Sequence, residues 1–191
     1  MKDSSILYFH GFASSSDSNK AKLLKKYIAK KYKKVNLLIP DLDNHFKTAI
    51  EQIENLIKNN PKPISFIGSS LGGYYAAYFA SINNSKAILI NPAIPPLDGF
   101  DKYLGKNENY STGEKFNINK QDIEYLRSIS FQQYINSDNT LVLLESGDDV
   151  LNYIETTNYF LSSYIDINFG GSHSYDTFED KLDKICSFLK I

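Results

Sequence analysis

The chain has 191 residues, a formal net charge of -1 and 42% apolar residues, which suits one domain with its own core and leaves no global field to attract nucleic acid or an acidic polymer. A single cysteine, Cys186, rules out an intrachain disulfide and fits a reducing cytoplasm. One cysteine with three histidines is also a poor basis for a structural zinc site.

The first element expected is a strand at residues 6–9, an apolar run too short for a signal-peptide core. Residues 20–34 read as a helix with Leu24, Tyr27, Ile28 and Tyr32 on one face and Ser18 as N-cap; its many lysines read as a solvated face. A second strand is expected at 35–39, then a helix over 48–58 carrying Ile50, Ile53 and Ile57. Further strands are expected at 64–67, 87–90, 140–144 and 165–169, several of them apolar throughout, as in parallel strands buried on both faces. The final helix presents Tyr175, Phe178, Leu182, Ile185 and Leu189 inward, with Cys186 beside them as a small buried hydrophobe.

Strands alternating with helices at these intervals predict an open, twisted, mostly parallel sheet of about six strands with helices on both faces. One interval is too long for a single crossover. Residues 92–137 hold three prolines and three glycines that make their first half irregular, then a helical pattern over 121–134, and read as a small cap over the site. The cap's aromatics, Tyr103, Tyr110 and Phe116 among them, are expected to face the substrate. Arg127, the only arginine, is expected to anchor the cap through a carboxylate or backbone carbonyls, because its rigid fork does what lysine cannot. No stretch is long enough to span a bilayer.

The segment ISFIGSSLGG, residues 64–73, places Gly68-x-Ser70-x-Gly72 between a strand and a helix, the pattern of an α/β-hydrolase nucleophile elbow. Register selects Ser70 over Ser69, because the positions flanking Ser69 are Ile67 and Leu71, where side chains would obstruct the turn. The first strand ends in His10-Gly11-Phe12, where such enzymes draw one oxyanion-hole amide from the following loop and the other from the residue after the serine. That assigns the backbone N–H groups of Phe12 and Leu71. His10 is then expected to shape the loop, and His45 to cap a helix. His173 remains as general base, just beyond the last strand, in agreement with the chain order of this fold. The orienting acid should end the preceding strand; Asp148 is favoured there, with Asp149 as its rival.

These segments together resemble the YqiA/YcfP-like family of small bacterial esterases. The resemblance rests on YFHGFASS, FIGSSLGGYYA, LINPAIPP, NENYSTGEKF, LLESGDDVLNY and GGSHSYDTFED, and it spans nearly the full length. It implies hydrolysis of carboxylic esters or acyl thioesters of small molecules, with no metal or organic cofactor and the same three side chains, Ser70, His173 and Asp148. Other readings of the scaffold are an acyltransferase, a peptidase, or a binding protein that keeps the fold without the chemistry.

Overall fold

The computed structural model describes residues 4–191. Strand and helix alternate from the start: β1 (Ser4–Phe9), α1 (Asn19–Lys31), β2 (Val35–Leu38), α2 (Phe46–Asn59), β3 (Ile64–Ser69), α3 (Leu71–Asn83) and β4 (Ala87–Ile90). A long excursion follows, containing β5 (Gly105–Glu108), β6 (Lys115–Ile118) and α4 (Lys120–Ser128). The chain then returns through β7 (Thr140–Glu145), α5 (Tyr153–Tyr159), β8 (Tyr164–Asn168) and α6 (Leu182–Leu189). Six strands form one sheet in the order β2-β1-β3-β4-β7-β8, and every pairing in it is parallel. The connections from β1 leave toward one edge through β2 and return toward the other from β3. The order therefore reverses beside β1 and β3, where a crevice opens at the carboxyl ends of the strands.

Strand alternation divides the core in two. On β1, Leu7 and Phe9 join one buried cluster, with Phe46, Ile50 and Ile53 of α2 and Phe79 of α3. Ile6 and Tyr8 join the other, with Leu24 and Ile28 of α1 and Leu182, Ile185 and Leu189 of α6. The α2 residues Phe46, Ala49, Ile50 and Ile53 recur at helical spacing, so one face of that helix is buried. Phe46, Ile50 and Ile53 each contribute about 1.5–3 kcal/mol by leaving water. Cys186 is fully buried in α6, and burial pushes its thiol up to about 11, so it packs as a small hydrophobe.

Helix ends differ from the sequence reading. α1 stops at Lys31, and Ser18, although at the N-cap position, makes no side-chain cap bond. The expected final helix starts only at Leu182, because Tyr175 takes φ 60 in a turn that a helix cannot accommodate. Tyr175 and Phe178 are buried as expected, but from turns. α4 ends at Ser128, short of residue 134. It begins with a capping box between Asn119 and Asp122.

The excursion between β4 and β7 is ordered around the antiparallel β5–β6 pair. Its turn is tied to the loop after β1: the Tyr110 amide donates to the Ala13 carbonyl at 2.8 Å, and Asn109 Nδ2 to the Ser14 carbonyl at 3.0 Å. On the other side α4 packs against α2, and the Tyr74 hydroxyl of α3 donates to the Leu126 carbonyl at 2.8 Å. No described helix is long and apolar enough to cross a membrane.

Candidate active site

The turn after β3 places Ser70 at φ 55, a left-handed conformation that raises its side chain above the sheet edge. Backbone bonds hold the turn in place: the Ser70 amide donates to the Ile90 carbonyl at 3.0 Å, and its carbonyl accepts from Gly73 and Ala93. Both flanking glycines are forced by close approach. A Cβ on Gly68 would collide with the carbonyl of Gly72, and one on Gly72 with the carbonyls of Phe9 and His10 at the end of β1. Gly72 thereby lets α3 dock against β1, so that the loop after β1 passes over the serine. A Cβ built on Gly11 would lie 3.8 Å from Ser70 Oγ. The amide of Phe12 follows directly. Leu71 opens α3, and the first amides of a helix have no intrahelical acceptor.

His10 stands beside this loop without reaching the serine. Its Nε2 accepts from the Leu42 amide at 3.0 Å, so the ring proton is on Nδ1, which lies 2.9 Å from the Gly11 carbonyl oxygen. Burial pulls its pKa below the ordinary histidine value, despite the Gly11 carbonyl and Asp41. His45 precedes α2 in an exposed position and makes no capping bond; its ring lies against Phe116.

His173 arrives from the loop after β8. Its Nε2 is 3.0 Å from Ser70 Oγ, and its Nδ1 is 2.8 Å from Asp148 Oδ2. The Asp148 side chain is only 2% exposed, and its other oxygen accepts from the amides of Val150 and Leu151, both at 2.8 Å. Asp149, the rival, is exposed. The three side chains thus form one hydrogen-bonded chain at the carboxyl edge of the sheet.

Sequence reasoning missed what holds the histidine loop. Glu145, the last residue of β7, is fully buried, and its carboxylate accepts from the amides of Ser172, Asp176 and Thr177 and from the Thr177 hydroxyl, at 2.8–2.9 Å. Burial alone would raise its pKa, but these donors outweigh it and hold the carboxyl below the ordinary value. Asn91, the residue after β4, donates from Nδ2 to the carbonyls of Ser172 and His173 and accepts from the Glu145 amide. A polar residue at or directly after the end of an apolar strand was the signal available for each.

A cavity of about 420 Å³ opens above Ser70 and His173, walled by Phe12, Phe100, Tyr103 and Lys20. Of the aromatics expected to face substrate, Tyr103 and the exposed Tyr110 line it. Phe116 does not: it is buried and packs edge-on against Phe12. Arg127 joins α4 to the start of the excursion, donating to Asp101 at 2.7 Å and to the carbonyls of Pro96 and Leu97. Among the described residues, no group of three or more histidine, cysteine or acidic side chains gathers as a metal site.

A family model described as an uncharacterised protein family, UPF0227, matches residues 5–190. The chain belongs to the UPF0227 family. Curated UPF0227 relatives include a protein of Shewanella woodyi, 26% identical over 190 residues, covering 97% of this chain and 99% of that one. The YcfP protein of Escherichia coli (strain HS) is 24% identical over 187 residues, covering 96% and 97%. Among solved structures, α/β-hydrolase domain-containing protein 10 from mouse superposes with a TM-score of 0.77 at 13% identity, over 97% of this chain and 89% of that one. Est1E from Butyrivibrio proteoclasticus gives 0.68 at 17%, over 99% and 88%, and an esterase domain from Rhodothermus marinus gives 0.71 at 16%, over 98% and 87%. At these identities the likeness establishes the fold alone: this UPF0227 chain has the α/β-hydrolase fold.

Proposed function

We propose that this UPF0227 protein is a serine hydrolase that cleaves carboxylic esters or acyl thioesters through an acyl-enzyme. Ser70 is the nucleophile, His173 the general base and Asp148 the acid that orients it. One observation carries the reading: the unbroken hydrogen-bonded chain from Ser70 Oγ through both nitrogens of His173 to a buried Asp148 carboxylate. Esterases among the fold neighbours agree with it.

With its Nδ1 proton donated to Asp148, His173 turns the lone pair of Nε2 toward Ser70. Ser70 Oγ attacks the carbonyl carbon and its proton passes to Nε2. The oxyanion accepts from the amides of Phe12 and Leu71, and donors of this kind are each worth about 10²–10³ in rate. Collapse breaks the bond to the alcohol or thiol, which leaves with the proton from His173. Water, deprotonated by the same nitrogen, attacks the acyl carbon, releases the acid and restores Ser70. Phe100 and Tyr103, among the residues of 92–137 that wall the cavity, act as a cap that shapes the acyl or alcohol site.

The direct test is turnover of 4-nitrophenyl butyrate by the wild type, Ser70→Ala and Ser69→Ala. Hydrolysis should vanish in the first variant and persist in the second. Retained hydrolysis in Ser70→Ala would sink the proposal.

A further inference from the structure

One end of the cavity takes no part in acyl transfer, and donor groups without acceptors collect there. The hydroxyls of Tyr8 and Ser18 are buried near each other, and neither closes a hydrogen bond among the described residues. Tyr8 is 0% exposed, and both residues line the cavity that holds Ser70 and His173. Lys20 lies in the same wall. Its Nζ donates to the Ser174 carbonyl at 2.6 Å, a neutral acceptor, and it makes no ion pair among the described residues.

The helix that carries Lys20 sharpens the mismatch. α1 is 13 residues long, has no acidic residue in its first turn and receives no side-chain cap from Ser18. Its amino end is therefore a centre of positive potential with free amides, where an anion is stabilising and a cation is not. Lys20 nevertheless sits in that first turn, half-buried. Burial lowers the pKa of its ammonium, and Glu145, Asp176 and Asp148 pull it back up. Each of those carboxylates is engaged elsewhere: Glu145 with the histidine loop, Asp176 with the Ser172 hydroxyl, Asp148 with His173. Asp98 and Lys102 also line the cavity, are both exposed, and carry opposite charges. Lys22, the next lysine of α1, lies 3.9 Å from Asp17 on the solvent side.

We propose that this end of the cavity is a subsite for an anionic group of the substrate, a carboxylate or phosphate, held by Lys20 with the hydroxyls of Ser18 and Tyr8. The inference rests on acyl transfer at Ser70 and adds the class of ester: one substituent is apolar, against Phe12, Phe100 and Tyr103, and the other carries negative charge.

The experiment compares kcat/KM within matched ester pairs on the full chain. 4-Nitrophenyl hydrogen glutarate against 4-nitrophenyl valerate places a carboxylate on the acyl side. The acetate ester of 3-hydroxypropyl phosphate against that of its dimethyl phosphate places a phosphate on the alcohol side. At least one pair should favour the anion by about tenfold or more, the range for hydrogen bonds to a charged group. That ratio should fall to about one in Lys20→Met, drop severalfold in Tyr8→Phe and in Ser18→Ala, and survive in Lys22→Met, which removes the same charge. A ratio taken within one variant stays readable when overall activity drops. Ratios near one for both pairs in the wild type, or a preference that persists in Lys20→Met, would overturn the subsite. Absence of turnover on all four esters would instead count against acyl transfer itself.

Discussion

Glu145 Oε2 accepts from the amide of Ser172 at 2.8 Å, so the residue that ends β7 fixes the residue before His173. The same carboxylate takes three more bonds from the loop, and a Cβ on Gly171 would collide with it. Glu145 is thus a positioning residue. Glu145→Gln turns an amide NH₂ toward backbone donors and should cost about 3 kcal/mol of stability, the scale for breaking a buried charged network. It should also lower kcat more than it raises KM. Because its folded pKa is depressed, its contribution is full above the unfolded value of about 4.3 and is lost as pH falls through the folded one. Melting temperature followed from pH 5 to 3 should therefore decline less steeply in the variant. Parallel declines would remove the carboxylate from the account.

Asp148 and Asp149 are adjacent but not equivalent. Only Asp148 meets His173, and its second oxygen is fixed by two amides. Asp148→Asn should reduce turnover by on the order of ten-thousand-fold, the loss seen when such an acid can no longer hold its histidine in the right tautomer. Asp149→Asn should stay within a few-fold of wild type. Steady-state kinetics on one ester decides between them, and the reverse ranking would reassign the acid.

His10 gives a second, milder acid sensitivity. Its folded pKa is depressed, so the neutral ring that bridges Leu42 and Gly11 is stable above the unfolded value of about 6.5. Stability should decline as pH drops from 7 toward the folded pKa, because the unfolded chain then binds the proton more readily. In His10→Gln that portion of the decline should disappear. Scanning calorimetry between pH 7 and 5 would show it, and an unaltered slope would place the sensitivity elsewhere.

Arg127 joins α4 to the turn at Pro96–Asp101 through a charged pair and two carbonyls. Lysine offers one point of attachment where the guanidinium offers a fork. Arg127→Lys should speed proteolytic cutting within residues 92–137 while the six-stranded sheet stays protected. Hydrogen exchange resolves the two regions, and uniform exchange across them would mean that Arg127 anchors nothing local.

The sheet was legible because its central strands are buried on both faces, and unbroken apolar runs such as ILYF and AILI have few alternatives. The elbow was legible because two glycines forced by backbone approach leave a fixed signature around Ser70. What escaped lacked an apolar period. β5 reads Gly-Lys-Asn-Glu, and α5 buries only Thr156 fully. Tyr175 and Phe178 imitated a helix because two successive three-residue turns give their side chains a helical spacing. Lys20 looked like one more solvated lysine, and Phe116 like a substrate contact; both depend on how the excursion and α1 meet over the sheet, which spacing along the chain does not carry. The fork of Arg127, by contrast, was foreshadowed by its being the only arginine.

The most direct measurement is covalent labelling with a fluorophosphonate, followed by peptide mapping of the adduct. Ser70, raised at φ 55 and 3.0 Å from His173, should carry one adduct per chain, and labelling should be lost in Ser70→Ala and slowed severely in His173→Ala. An adduct on Ser69 or Cys186, or a chain that stays unlabelled while folded, would contradict the proposal that this site performs nucleophilic acyl transfer.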